Sequence, residues 1–147
     1  MMSEAGTTIA AEVATDRVRV MLIEDSEVIR EALIDALAGI EYIVFAATAA
    51  TAEEAVAQLQ GQHFDLVVVD LELRVGTGFE VLRYLAQTGA DPCVPVRVVL
   101  TNHAFPIYEQ RARALGVDHF FDKSLHFEEA IQTIENEAAR LRPHAHY

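Results

Sequence analysis

Short apolar runs and one-sided helical stripes alternate along almost the whole chain. Val18-Arg19-Val20-Met21-Leu22-Ile23 reads as a first strand and runs straight into Glu24 and Asp25. Ser26 can cap a helix that carries Ile29, Leu33 and Leu37 on one side and stops at Gly39. Tyr42 to Ala46 reads as a second strand. Thr51 and Glu54 have the spacing of a capping box, and Ala52, Ala55, Val56 and Leu59 follow at helical spacing until Gly61. The run at 64–69, rich in valine, ends abruptly on Asp70. A short continuous apolar run between turn residues predicts a strand buried on both faces. After a loop at 71–76, Thr77 and Glu80 have the spacing of a second capping box. Val81, Leu82 and Leu85 line a third helix that ends near Gly89.

Pro92 and Pro95 break the chain before a fourth strand, Val96 to Leu100, which ends on Thr101. Pro106 suits the first turn of a fourth helix that stops at Gly116. His119-Phe120-Phe121 is a short fifth strand, followed by Asp122-Lys123-Ser124. A last helix carries Phe127, Ile131, Ile134, Ala138 and Leu141 until Pro143. Five strand–helix units with short connections predict an α/β fold, a parallel sheet with helices on both faces. Right-handed crossovers put every strand's carboxyl end on one edge, where such folds place their ligands. The expected organisation is a loose tail at 1–16, one domain at 17–142 and a short tail at 143–147.

Composition narrows the function. The 147 residues are 52% hydrophobic, enough for a core and against disorder. A net charge of −12 argues against direct nucleic-acid binding. No apolar run approaches the length of a membrane span, and the first residues lack the pattern of a secretory signal. Cys93 is alone, which excludes an internal disulfide and fits a reducing cytoplasm. The six histidines are scattered and read as structural or solvated, not as a transition-metal set.

Under the parallel-sheet arrangement, four strand ends converge on one rim. They bring Glu24 and Asp25, then Asp70, then Thr101, then Lys123. Three crowded carboxylates repel one another unless a cation joins them. Oxygen ligands on loops suit Mg²⁺. Lys123 adds a charge that can neutralise a phosphoryl group, and Asp70 can act as a nucleophile that forms an aspartyl phosphate. Taken singly, each residue has a plainer role: Asp25 as a helix cap, Thr101 as a turn cap, Lys123 as a surface lysine, Phe120 as core.

The ordered set Glu24-Asp25, Asp70, Thr101 and Lys123 resembles the receiver domain of two-component response regulators, over about residues 17–142. The resemblance implies a flavodoxin-like, doubly wound sheet in the order 2-1-3-4-5. It implies phosphorylation of Asp70 by a histidine kinase or phosphotransfer protein, and a downstream protein target, with a homodimer conceivable. Asp25, Asp70 and the backbone carbonyl of Glu72 match the family's metal ligands, and Glu24 its outer-shell acid. Thr101 and Lys123 match the phosphoryl-binding pair, and Thr101 with Phe120 the switch. Glu72 and His103, each two positions past a site residue, match places that tune the lifetime of the phosphorylated state. A direct or water-bridged contact between these two is expected.

Three positions depart from the family pattern. Ser124 stands where proline usually follows the lysine, which predicts a trans peptide after Lys123, since cis before a non-proline residue costs about 2.5–4 kcal/mol. Asn102 stands where a very small residue is usual, and Arg74 where proline is frequent. Little chain follows the last helix, so the expected function is a stand-alone response regulator, a signalling protein and not an enzyme. Two rivals remain at this point. One is a receiver-like module that binds partners without phosphorylation. The other is a small aspartate-nucleophile phosphohydrolase, which usually has an aspartate where this chain has Glu72.

Overall fold

The computed structural model describes residues 17–88 and 94–142. The expected tails, the breaks at Gly89, Pro92 and Pro143, and Cys93 lie outside these residues. The elements in chain order are β1 (Val18–Ile23), α1 (Glu27–Leu37), β2 (Ile43–Ala49), α2 (Ala52–Gly61), β3 (Leu66–Val69), α3 (Gly78–Gln87), β4 (Val96–Thr101), α4 (Pro106–Ala114), β5 (His119–Asp122) and α5 (Phe127–Leu141). All five strands are parallel, in the order β2-β1-β3-β4-β5. This is the flavodoxin-like doubly wound topology.

The period of two along each strand divides the core into two layers. Met21, Ile23, Val67, Val69 and Val99 face α2, α3 and α4, where they meet Ala55, Phe79, Leu82 and Ala112. Val20, Leu22, Leu66, Val68, Val98 and Leu100 face the other way, onto Leu33 and Leu37 of α1 and Ala130, Ile134 and Ala138 of α5. β3 is buried along its whole length because both layers close over it. Each such buried valine or leucine contributes roughly 1.5–3 kcal/mol relative to exposure. The chain reaches Gly116 after α4 in a left-handed turn, φ 96°. There Val117 N–H bonds the Ala112 carbonyl and Gly116 N–H that of Arg113, so the helix end is sealed by a Schellman motif.

Two strand boundaries and one helix cap differ from expectation. β2 runs on to Ala49, because a bulge shifts its register between Val20↔Phe45 and Met21↔Ala47 and leaves Ala46 unmatched. β3 begins at Leu66, because the Asp65 carboxylate accepts the Arg19 backbone N–H at 2.8 Å. The capping box at Thr77 and Glu80 does not form. The Glu80 N–H bonds the Thr77 carbonyl instead of its hydroxyl, and the Thr77 backbone bridges to Glu72. At Thr51 the cap does form: its hydroxyl accepts from Glu54 N–H at 3.1 Å, and the Glu54 carboxylate reaches Ala50 N–H at 2.9 Å. None of the described peptide bonds is cis, so the one after Lys123 is trans as expected.

Candidate functional site

Glu24, Asp70 and Lys123 each stand one residue beyond the end of a strand, and each is pinned by a neighbour's carbonyl. Glu24 N–H bonds Ala49, Asp70 N–H bonds Ile23, and Lys123 N–H bonds Thr101. The sheet's ladder therefore continues one step past its strands and fixes the main chain of the site. Gly78 tightens it further. A Cβ there would lie 2.2 Å from the Asp70 carbonyl oxygen, so the first residue of α3 has to be glycine for helix and acid to approach this closely.

The side chains converge. Ligand oxygens of Glu24, Asp25 and Asp70 lie within 4.8 Å of one another. The Lys123 ammonium donates to Glu24 Oε1 and to Asp70 Oδ2, both at 2.8 Å. Glu24 (2% exposed), Asp70 (6%) and Lys123 (8%) are buried, whereas Asp25 is exposed. The remaining carboxylate oxygens are engaged by backbone: Glu24 Oε2 accepts from Ser26 N–H at 2.9 Å, and Asp70 Oδ1 from Glu72 N–H at 3.2 Å. Burial raises the Glu24 pKa, against the opposing pull of Lys123. Burial alone would lower that of Lys123, but its bonds to Asp70 and Glu24 outweigh it and hold the ammonium above its usual range.

The charges do not close within the protein. Three carboxylates against one ammonium leave two negative charges, with Asp25 open to solvent. An all-oxygen donor set with a surplus of two charges fits a hard divalent cation that keeps part of its water. The donor set therefore suits Mg²⁺.

The other expected residues fall around this centre. Thr101 is fully buried at the end of β4, its hydroxyl accepting from His103 N–H at 3.1 Å. Phe120 lies in β5 opposite Val99, half-buried against the core layer that holds α2–α4. His103 Nε2 stands 3.4 Å from Glu72 Oε2, so the contact between those two loops is present. The sequence reading missed three sets of contacts. Arg30 reaches back from α1 to the Glu24 carbonyl at 2.7 Å. An arginine one turn beyond the Ser26 cap and an acidic pair was the available signal. Asp122 Oδ1 accepts from Ser124 N–H at 2.8 Å and Leu125 N–H at 3.1 Å, folding the loop under Lys123. Ser124 Oγ donates to Asn102 Oδ1 at 3.0 Å.

Comparisons with known proteins agree on one family. The response regulator receiver domain model matches residues 20–135. A protein-glutamate methylesterase/protein-glutamine glutaminase of Paramagnetospirillum magneticum is 31% identical over 110 residues, covering 75% of this chain and 29% of that protein. A gliding motility regulatory protein of Myxococcus xanthus is 32% identical over 114 residues, 14% of its length. The chain thus spans less than a third of these relatives. Among solved structures, a LuxR-family two-component response regulator from Aurantimonas sp. superposes with a TM-score of 0.73 at 27% identity, covering 88% of this chain and 92% of that one. The Vibrio cholerae chemotaxis protein CheY4 does so with a TM-score of 0.68 at 26% identity, covering 82% and 98%.

Proposed function

The chain belongs to the response regulator receiver domains of two-component signalling, and from that premise we propose that Asp70 is its phosphoryl acceptor. The observation that carries this reading is the Lys123 ammonium, shared between buried Asp70 and Glu24 in a cluster that, with the exposed Asp25, still holds a surplus of two negative charges. An isolated structural ion pair would be neutral. This one has an unmatched demand for cation beside a carboxylate poised as a nucleophile.

In the reaction, an Asp70 oxygen attacks the phosphorus of a phosphohistidine on a sensor kinase or phosphotransfer protein. The new P–O bond forms as the P–N bond breaks, and the imidazole leaves with the bonding electrons and takes up a proton. Lys123 moves its charge from the carboxylate to the transferred oxygens, where charge is spread in the transition state. Asp25, Asp70 and the Glu72 carbonyl would hold Mg²⁺, with Glu24 behind them, and the ion would supply further neutralising charge. The Thr101 hydroxyl would leave His103 N–H for a phosphoryl oxygen, and Phe120 would follow into the space vacated. That rearrangement alters the surface around β4 and β5 that a downstream protein reads. Glu72 and His103, in contact across the mouth of the site, would hold back the water that hydrolyses the aspartyl phosphate and lengthen the signal.

The test is chemical. The protein is incubated with labelled phosphoramidate and Mg²⁺, then reduced with borohydride, which converts a phosphoaspartate to homoserine. Homoserine at position 70 is the expected result. Homoserine at another residue, or none at all, would contradict the assignment, and the second outcome would favour a binding module that works without phosphorylation.

A further inference from the structure

The two family departures nearest the site, Asn102 and Ser124, touch each other. Ser124 Oγ donates to Asn102 Oδ1 at 3.0 Å, although the two residues are 22 positions apart. Each follows directly on a residue of the phosphoryl-binding pair, Asn102 on Thr101 and Ser124 on Lys123. One step earlier the same two chains are joined by the backbone bond from Lys123 N–H to the Thr101 carbonyl. The ladder between β4 and β5 is thus carried one residue beyond its end, by side chains in place of backbone. On the β5 side the loop is also folded by Asp122, whose carboxylate accepts from Ser124 and Leu125 N–H. Ser124 therefore has a fixed main chain from which to hold Asn102.

We propose that Asn102 and Ser124 form a latch between the loops after β4 and β5, which fixes the main chain on which Thr101 and Lys123 are mounted and so speeds phosphoryl uptake by Asp70. The proposal rests on the acceptor role of Asp70. Lys123 has to swing its ammonium from Asp70 Oδ2 toward the incoming phosphoryl group. With the loops latched, only the side chain moves, and the backbone beneath it needs no reordering as charge develops. Both latch residues are positioning residues: neither meets the reacting atoms in this structure, and each acts through its neighbour. Both are exposed, so one hydrogen bond supports a modest effect, about two- to tenfold in rate.

The experiment measures initial uptake of label from phosphoramidate at saturating donor, together with amide hydrogen exchange of the unphosphorylated protein at 102–104 and 124–126. Ser124→Ala is expected to lower the maximal rate two- to tenfold, with the donor concentration for half-maximal rate unchanged. Asn102→Leu keeps the bulk of the side chain without its acceptor and should lose as much. The double variant should be no slower than the slower single, and Ser124→Thr, which keeps the hydroxyl, should restore the rate. Exchange should quicken at both loops in either single variant. Wild-type rates and wild-type exchange in Ser124→Ala would overturn the latch. If the wild-type protein takes up no label, the acceptor role of Asp70 has failed, and the exchange arm still decides: unchanged protection in Ser124→Ala overturns the latch on its own.

Discussion

The two rims of the sheet carry the same residue types and use them in opposite ways. At the amino rim, Asp65 and Asp118 stand just before β3 and β5. Each accepts a backbone N–H from the neighbouring strand, Asp65 from Arg19 at 2.8 Å and Asp118 from Arg97 at 2.9 Å. Each returns its own N–H to the same residue's carbonyl. Most of the arginine donors are engaged as well. Arg97 is buried and caps helix ends, giving Nη1 to the Leu115 carbonyl at 3.1 Å and Nη2 to that of Leu85 at 3.5 Å. At the carboxyl rim, Glu24 and Asp70 share one lysine, and Asp25 has no cation within salt-bridge distance among the described residues. One rim satisfies its carboxylates with main-chain N–H groups and leaves only the buried Arg97 Nε without a partner among these groups, so its charges serve the fold. The other is left short of positive charge, and that shortfall is its chemistry.

Changes at the two rims should therefore separate stability from function. The largest loss of stability is expected from Gly78→Ala, which drives a Cβ against the Asp70 carbonyl. Overpacking of this kind costs about 1–3 kcal/mol, and here the obstacle is main chain, so the upper end applies. The midpoint of urea unfolding measures it, and an unchanged midpoint would mean that α3 can slide away from Asp70. Next comes Asp118→Ala at the amino rim. It removes a charge-assisted bond to Arg97 N–H and should cost about 1.5–3 kcal/mol while phosphoryl uptake continues at the wild-type rate. Loss of uptake there would erase the distinction between the rims.

Mg²⁺ sharpens the comparison from the other side. Binding only the folded state at tenfold its Kd raises stability by about 1.4 kcal/mol, read as a rise in melting temperature. Asp25→Ala should abolish most of that rise, whereas Asp65→Ala should lower the baseline and keep the rise. The smallest effect is in acid. Glu137 on α5 is partly desolvated, but bonds from His119 and Arg140 outweigh this and lower its pKa. Its contribution is present above the ordinary glutamate value of 4.5 and is lost as pH falls. Glu24 is shifted upward, so protonation at low pH relieves a cost instead of removing a support. Glu137→Gln should flatten the acid limb of the stability curve, and Glu24→Gln should raise stability at neutral pH. A steeper acid limb in the Glu137 variant would reverse the sign of its role.

The fold was largely legible because alternation is written in residue types. Val20, Leu22, Val68 and Leu100 on one face, and Met21, Val67, Val69 and Val99 on the other, need two covering layers, and the helical stripes supply them. The rim was legible for a related reason: parallel connection puts strand ends together wherever the strands themselves are recognised. What escaped depends on contacts far apart in sequence. The bulge at Ala46 is set by pairing with β1, which no local pattern records. The Thr77 cap failed because its backbone is drawn into a bridge with Glu72. Asn102 and Ser124 were visible singly as departures, but their bond spans β4 and β5 and exists only once the sheet is built. Gly78 carries no local signal, because its need for glycine comes from the Asp70 carbonyl that packs against it across the loop.

The sharpest comparison uses one substitution at the two ends of β3. Asp65→Asn and Asp70→Asn each exchange one carboxylate for an amide, at opposite rims of the same strand. Uptake of label from phosphoramidate and the urea midpoint are measured for both. Asp70→Asn should lose the label entirely and hold or gain stability, because the acidic crowding is relieved. Asp65→Asn should keep the label at the wild-type rate and lose stability. Label retained at the wild-type rate in Asp70→Asn would contradict the central claim that this residue is the acceptor.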